Sequence, residues 1–317
     1  MSEPAFLALL IVLLCIVLYA LLGGADYGGG VWDMLAVESR RELQREAIGK
    51  AMGPVWETNH MWLIFAMVTL FTCFPPVFAK LSIALFVPLL FALAGIIMRG
   101  AAFAFRGPST RDLLVHKVWG IVFGIASLLT PLLFGAAVAA IATGTFNWLA
   151  PFSIAVGLLA ITLCAQLAAV FLCAETRHQL QDDFRLRALI VTPLVAAVGL
   201  VALVLSRSTN PVLFHGLEHA WPAVGVAMLA GVLVFAFCWS RKFLIARVFA
   251  GVEVTAIVAG WYLAEGPNLA IDLGLKIIAA PGVTIVTYLW IALGGTLLLV
   301  PSLWLLFSVF KREVIDA

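Results

Sequence analysis

Apolar residues run along this chain in long blocks, broken by short polar stretches rather than alternating with polar residues. A block of about 20 apolar residues is what a helix needs to cross the ~30 Å hydrocarbon core of a bilayer. Nine blocks meet that length, at about 4–24, 50–74, 79–105, 116–142, 150–174, 187–206, 221–240, 244–264 and 284–310. The pattern predicts an all-α integral membrane protein with nine transmembrane helices. The spacing divides it into a first four-helix bundle over 1–145, a second over 146–265 and a peripheral last helix over 284–311, although no sequence repeat marks the halves. The run from Ala5 to Leu22 has no basic segment before it and no small-residue cleavage pattern after it, so it reads as the first span, not a cleaved leader.

Composition sharpens this. The chain is 64% hydrophobic and 11% charged, against about 25% charged in soluble domains. A soluble enzyme or a nucleic-acid-binding module is therefore excluded. The five cysteines lie in or beside apolar runs without a C-x-x-C pair, which points to small apolar packers. The basic residues give an orientation. Fifteen of the 19 Lys and Arg follow odd-numbered spans, and only Lys80, Arg207 and Lys276 fall on the other side; Arg99 lies within the third span. By the positive-inside rule the N-terminus is outside and the C-terminus cytoplasmic. The loops are short, so chemistry has to sit among the helices and at their ends.

Polar residues within apolar blocks are costly in lipid and mark candidate sites. The densest group is Gly53-Pro-Val-Trp-Glu-Thr-Asn-His-Met-Trp62. Trp56, Asn59, His60 and Leu63 share one helical face, and Glu57 and His60 are i, i+3 neighbours. Together Glu57 and His60 offer proton-exchanging groups near the basic side. A di-metal carboxylate site would need two E-x-x-H pairs and two further Glu on other helices, and is the lesser reading. Glu57 can instead pair with Arg99, which the antiparallel third span brings to similar depth. Gly23-Gly-Ala-Asp-Tyr-Gly-Gly-Gly30 reads as the basic-side end of the first span, with glycines for close backbone approach or unusual dihedrals. Asp26 within it is either an interfacial cap or a proton-entry group. His215 and His219, at i, i+4 on the outer side, are weak metal candidates against a solvated turn. Glu253 is a further intramembrane carboxylate.

Gly23–Asp33 (GGADYGGGVWD), Gly53–Leu63 (GPVWETNHMWL), Phe74–Phe78 (FPPVF), Arg99–Arg106 (RGAAFAFR), Gly260–Pro267 (GWYLAEGP) and Pro301–Leu306 (PSLWLL) resemble, in order and along the whole chain, subunit II of cytochrome bd-type quinol oxidases. The resemblance implies a subunit of a bacterial inner-membrane terminal oxidase that oxidises quinol and reduces O2 to water. It implies b- and d-type haems in a larger partner, subunit I, with none ligated here. Small single-span subunits, quinol and membrane lipids are further implied partners, and this subunit can hold a structural quinone. The family's W-[DE]-x-N motif falls on Trp56, Glu57 and Asn59, with Trp62 beside it, and its acidic position after the first span falls on Asp26. A proton path through Asp26, Glu57 and His60 follows, supported by Trp56, Asn59, Trp62 and Arg99. The chain departs from the family pattern at Gly23, where many members have Asp, and at His60. A proton-coupled secondary transporter is the alternative, which broken mid-membrane helices would favour. If Glu57 relays protons, Glu57→Gln slows oxygen uptake in an assembled complex and Glu57→Asp largely retains it; equal rates for wild type and Glu57→Gln would reduce Glu57 to packing.

Overall fold

The computed structural model describes the backbone of residues 2–36, 38–105, 113–272 and 279–310, and the side chains of these except 38, 54–57, 113, 114, 116, 266–272, 306, 307, 309 and 310. Its elements are α1 (Glu3–Met34), α2 (Arg41–Cys73), α3 (Pro75–Ala84), α4 (Phe86–Phe105), α5 (Leu113–Ala142), α6 (Pro151–Glu175), α7 (His178–Thr209), α8 (Pro211–His219), α9 (Trp221–Trp239), α10 (Phe243–Asp272) and α11 (Gly282–Phe310), with a single 3₁₀ turn at Glu38–Arg40. Among the described residues, eight helices are long and apolar enough to cross a membrane, or nine if the bent α2–α3 pair counts as one span. Two runs of five helices, α1–α5 and α6–α10, repeat the same order: two long helices, a short one of 10 or 9 residues, one of 20 or 19, then one of 30.

Three boundaries differ from the sequence reading, each for a local reason. The first helix runs on through the glycines to Met34, so Asp26 is inside α1 and not at its end. The third apolar block splits. Pro75 and Pro76 start α3, at about 120° to the helix before it, and the span proper is α4 from Phe86. Proline is tolerated in a first turn, where its missing N–H has no partner to lose, and Pro88 sits likewise near the start of α4. On the same side of the fold, Asn210 accepts a hydrogen bond from Leu213 N (3.0 Å) and caps the short α8, which begins at Pro211. His215 and His219 therefore lie on a helix.

α1 is the central element. It packs against α2, α5, α6, α10 and α11. Its N-terminal half has exposed apolar residues such as Leu7 and Leu14, while residues 23–33 are all buried. The glycines permit that. They keep helical geometry, and their use is close approach. A Cβ on Gly28 would run into the Cys164 carbonyl and Ala168 of α6, and one on Gly30 into Ser127 of α5. Without a hydrophobic driving force inside lipid, helix association depends on such contact between small residues. Trp32 then locks the seam by donating its indole N–H to the Ala165 carbonyl, 2.8 Å away.

Other helices bury single stripes. In α4 the buried residues are Pro88, Ala92, Gly95, Arg99 and Ala102, spaced three or four apart, while Leu90, Phe91 and Ile97 are exposed apolar residues on the remaining surface. α11 is held against α2 by Thr69 and Tyr288, whose hydroxyls lie 2.5 Å apart, and by Ala280 N donating to the Cys73 carbonyl. At the basic face Arg40 makes a two-point contact with Asp183, Gln44 donates to Asp183, and Arg187 donates to Gln44. This tie joins the start of α2 to the start of α7. All five cysteines are buried thiols.

Gly28→Leu is expected to abolish a stable fold and Gly28→Ala to cost at least the ~1–3 kcal/mol of an overpacked core. Gly49, whose added Cβ would meet nothing within 4 Å, is the control: Gly49→Ala should be neutral or stabilising by up to about 1 kcal/mol. Unfolding midpoints in detergent measure both.

Candidate functional site: a buried carboxylate held by four helices

Asp26 of α1, 1% exposed, faces Arg99 of α4, 2% exposed. At 1.5 Å per residue they lie about 12 Å and 9 Å from the basic-face ends of their helices, so these two spans, which run parallel, bring them level. Arg99 Nη1 donates to Asp26 Oδ2 (2.5 Å) and Nη2 to Oδ1 (2.8 Å), with a further bond from Nη2 to the Asp26 carbonyl (2.7 Å). Arg99 Nε donates to Ser127 Oγ of α5 (2.9 Å), and Ser127 donates to the Phe123 carbonyl. From α2, Asn59 Nδ2 donates to Asp26 Oδ2 at 2.9 Å. The guanidinium also lies near the rings of Phe123 (4.6 Å) and Tyr27 (5.2 Å). Four helices thus converge on one carboxylate.

The local sequence explains the convergence. Arg99 stands on the one buried stripe of α4, and Gly95 one turn earlier lets α4 sit close to Thr130 of α5. Gly30 leaves room for Ser127, which in turn orients Arg99. A bidentate Arg–carboxylate pair is the strongest common arrangement of its kind. It neutralises two charges that lipid would otherwise exclude. Asp26 Oδ2 accepts two bonds and Oδ1 one from side chains, so Oδ1 keeps acceptor capacity.

The other sequence candidates distribute around this centre. Asp26, Asn59 and Arg99 come together as one unit. His60 is half-buried, its ring 6.4 Å from that of Tyr19, whose hydroxyl is 2.9 Å from Tyr27 OH. Trp62 is half-buried on the same helix. The side chains of Trp56 and Glu57 lie outside the described residues, and so does the anticipated Glu57–Arg99 pairing. His215 and His219 are exposed on α8, where His215 Nδ1 lies 3.1 Å from Glu218 and His219 Nδ1 2.8 Å from the His215 carbonyl. Among the described residues no group of three or more His, Cys, Asp or Glu could hold a metal ion. The groups around Asp26 are a guanidinium, an amide and a hydroxyl, which do not form a haem-ligand set.

The sequence reading missed Ser127, though it is the first small hydroxyl in an apolar stretch following Lys117. It also missed two other buried contacts. Gln166 of α6 donates to Glu253 of α10 (2.9 Å) and lies 3.3 Å from Thr192 of α7. Asn210 donates to Glu265 (2.8 Å) and to the Ala142 carbonyl.

Comparison with known proteins agrees with this architecture. Residues 4–310 match the family described as cytochrome bd terminal oxidase subunit II. The chain is 25% identical over 233 residues to cytochrome bd ubiquinol oxidase subunit 2 of Bacillus subtilis, covering 70% of this chain and 68% of that protein. It is 24% identical over 204 residues to cytochrome bd-I ubiquinol oxidase subunit 2 of Escherichia coli K12, covering 59% of this chain and 52% of that protein, so the match spans only about half of that relative. A chain of the solved bd oxidase structure from Geobacillus thermodenitrificans superposes with a TM-score of 0.80 at 20% identity, covering 98% of this chain and 100% of that one. This last likeness concerns the fold.

Arg99→Met is expected to destabilise the protein by about 3–5 kcal/mol, because it strands a buried carboxylate. Adding Asp26→Asn should recover part of that loss. Unfolding of the two single variants and the double variant measures the coupling; additive losses would show that the pair is not a unit.

Proposed function

The chain belongs to the cytochrome bd terminal oxidase subunit II family, and we propose that it serves a bacterial inner-membrane quinol oxidase by packing against a larger haem-bearing subunit I and passing protons toward it. The N-terminus is outside and the C-terminus cytoplasmic in this reading, and the two helix runs form two four-helix units with α11 at the side. The b- and d-type haems, the quinol-oxidation site and any small single-span subunits belong to partners, and this chain is not catalytic alone.

The chemistry sets the requirement. Two quinols and one O2 give two quinones and two waters, and making the water consumes four protons. When those protons come from the cytoplasm, charge crosses the membrane without a pump. Asp26 supports a role in that supply: it is buried, it sits toward the basic face, and its position is over-determined by Arg99 and Asn59. Intramembrane carboxylates of this kind are the usual members of proton relays. His60, one position from Asn59, and Glu57, on the same helix, extend the proposed path. Arg99 acts as a positioning residue that fixes the carboxylate and balances its charge. The glycine cluster, lying within a continuous helix, does not supply the mid-membrane break that a transporter reading would draw on.

Gentle purification of the tagged protein followed by a reduced-minus-oxidised spectrum tests the assignment. The expected result is a larger haem-bearing subunit in the preparation and quinol-dependent oxygen uptake. A colourless, single-component preparation from active membranes would contradict it.

A further inference from the structure

At the basic face, between the α6–α7 junction and the α9–α10 turn, lies a cavity of about 640 Å3. That volume is in the range of small-molecule sites. It is remote from the Asp26 centre and the proposed oxidase role does not use it. Its lining joins two chemistries. Arg177, Arg241 and Lys242 make a cationic wall with His178 beside them, Phe243 and Leu244 an apolar one, and no acidic residue lines it. Of the nearby acids, Asp182 lies 2.7 Å from Arg241 of the wall itself, and Glu175 is engaged elsewhere, 3.2 Å from Arg247.

The backbone at the rim is unusual. His178 (φ 52°) and Arg241 (φ 60°) are two of the three non-glycine residues with positive φ among the described residues, and both line this cavity. The α9 terminus shows what this means. Arg241 N donates to the Cys238 carbonyl and Lys242 N to the Phe237 carbonyl, the pair of bonds of a Schellman cap. The left-handed position of that cap favours glycine. Here it carries Arg241, so a guanidinium is retained where the backbone alone would prefer none. Strained positions of this type cluster at binding sites.

The apolar wall continues out of the cavity. Leu244, Val248 and Val252 follow at four-residue spacing along α10 and are 71%, 63% and 38% exposed. A ligand matching these features has a phosphate for the cations and a hydrocarbon chain for the strip.

We propose that this cavity binds the headgroup phosphate of an anionic phospholipid, with an acyl chain along Leu244, Val248 and Val252. Arg and Lys are the side chains suited to phosphate oxygens. Basic pockets between membrane helices at the headgroup level recognise lipids in this way. Inorganic phosphate offers the same head chemistry but nothing for the apolar strip, so the two sources separate experimentally.

The test uses the detergent-purified full-length protein with whatever subunits accompany it. Fluorescent phosphatidylglycerol is added in mixed micelles, with fluorescent phosphatidylcholine and inorganic phosphate as separate arms. The wild type should retain phosphatidylglycerol saturably, in preference to phosphatidylcholine, and inorganic phosphate should not displace it. Lys242→Gln alone and Arg241→Gly with Lys242→Gln should weaken retention by about fivefold per cation removed. Arg241→Gly suits the left-handed cap, so the unfolding midpoint should hold. No preference for phosphatidylglycerol in the wild type, equal retention by both variants, or displacement by inorganic phosphate would each overturn the proposal.

Discussion

The pairing of Asp26 with Arg99 is the constraint to which the first half of the fold answers. Neither charge is tolerable alone at that depth. Once paired, they require α1 and α4 at matched height, α2 near enough for Asn59 to reach the carboxylate, and α5 near enough for Ser127 to accept from Arg99 Nε. A buried ion pair contributes little net stability compared with an apolar replacement, but losing one partner is costly. Its value is therefore in arrangement: it selects one register for four helices and holds the Asp26 carboxylate in a fixed place.

The glycines of α1 make the arrangement reachable. An ordinary helix surface would hold α5 and α6 away from α1. With hydrogens at positions 28 and 30, the backbones close up, and residues 23–33 are buried on every side. The surfaces left over are apolar and exposed, as expected where lipid or another membrane subunit is the neighbour. Polar ties also fix the helix ends: Arg40, Gln44, Asp183 and Arg187 at the basic face, and Asn210 with Glu265 at the opposite one.

Hydropathy and charge made the helices, their order and the basic face legible, because lipid imposes length and polarity on every span directly. Asp26, Asn59 and Arg99 stood out for the same reason: each is a polar residue that an apolar block should not contain. Which of them touch was not legible. The sequence reading ended the first span at about residue 24 and so set Asp26 at a helix end, while its pairing of Glu57 with Arg99 lies outside the described residues. In a packed membrane bundle the glycines serve close approach, the helix continues, and Asp26 turns inward to Arg99. The split at residue 85 was hidden because α3 is as apolar as the spans it separates, and only Pro75-Pro76 and Pro88 record it. Ser127 is one hydroxyl among many until Arg99 is seen to donate to it.

Time-resolved charge movement in proteoliposomes tests the central claim most directly. The assembled oxidase, fully reduced and carrying Asp26→Asn, is exposed to an oxygen pulse, with the signal normalised to haem content. The account predicts that proton uptake and the accompanying voltage slow by at least about tenfold, roughly 1.4 kcal/mol on the barrier. Wild-type kinetics of both in a haem-complete variant would contradict it.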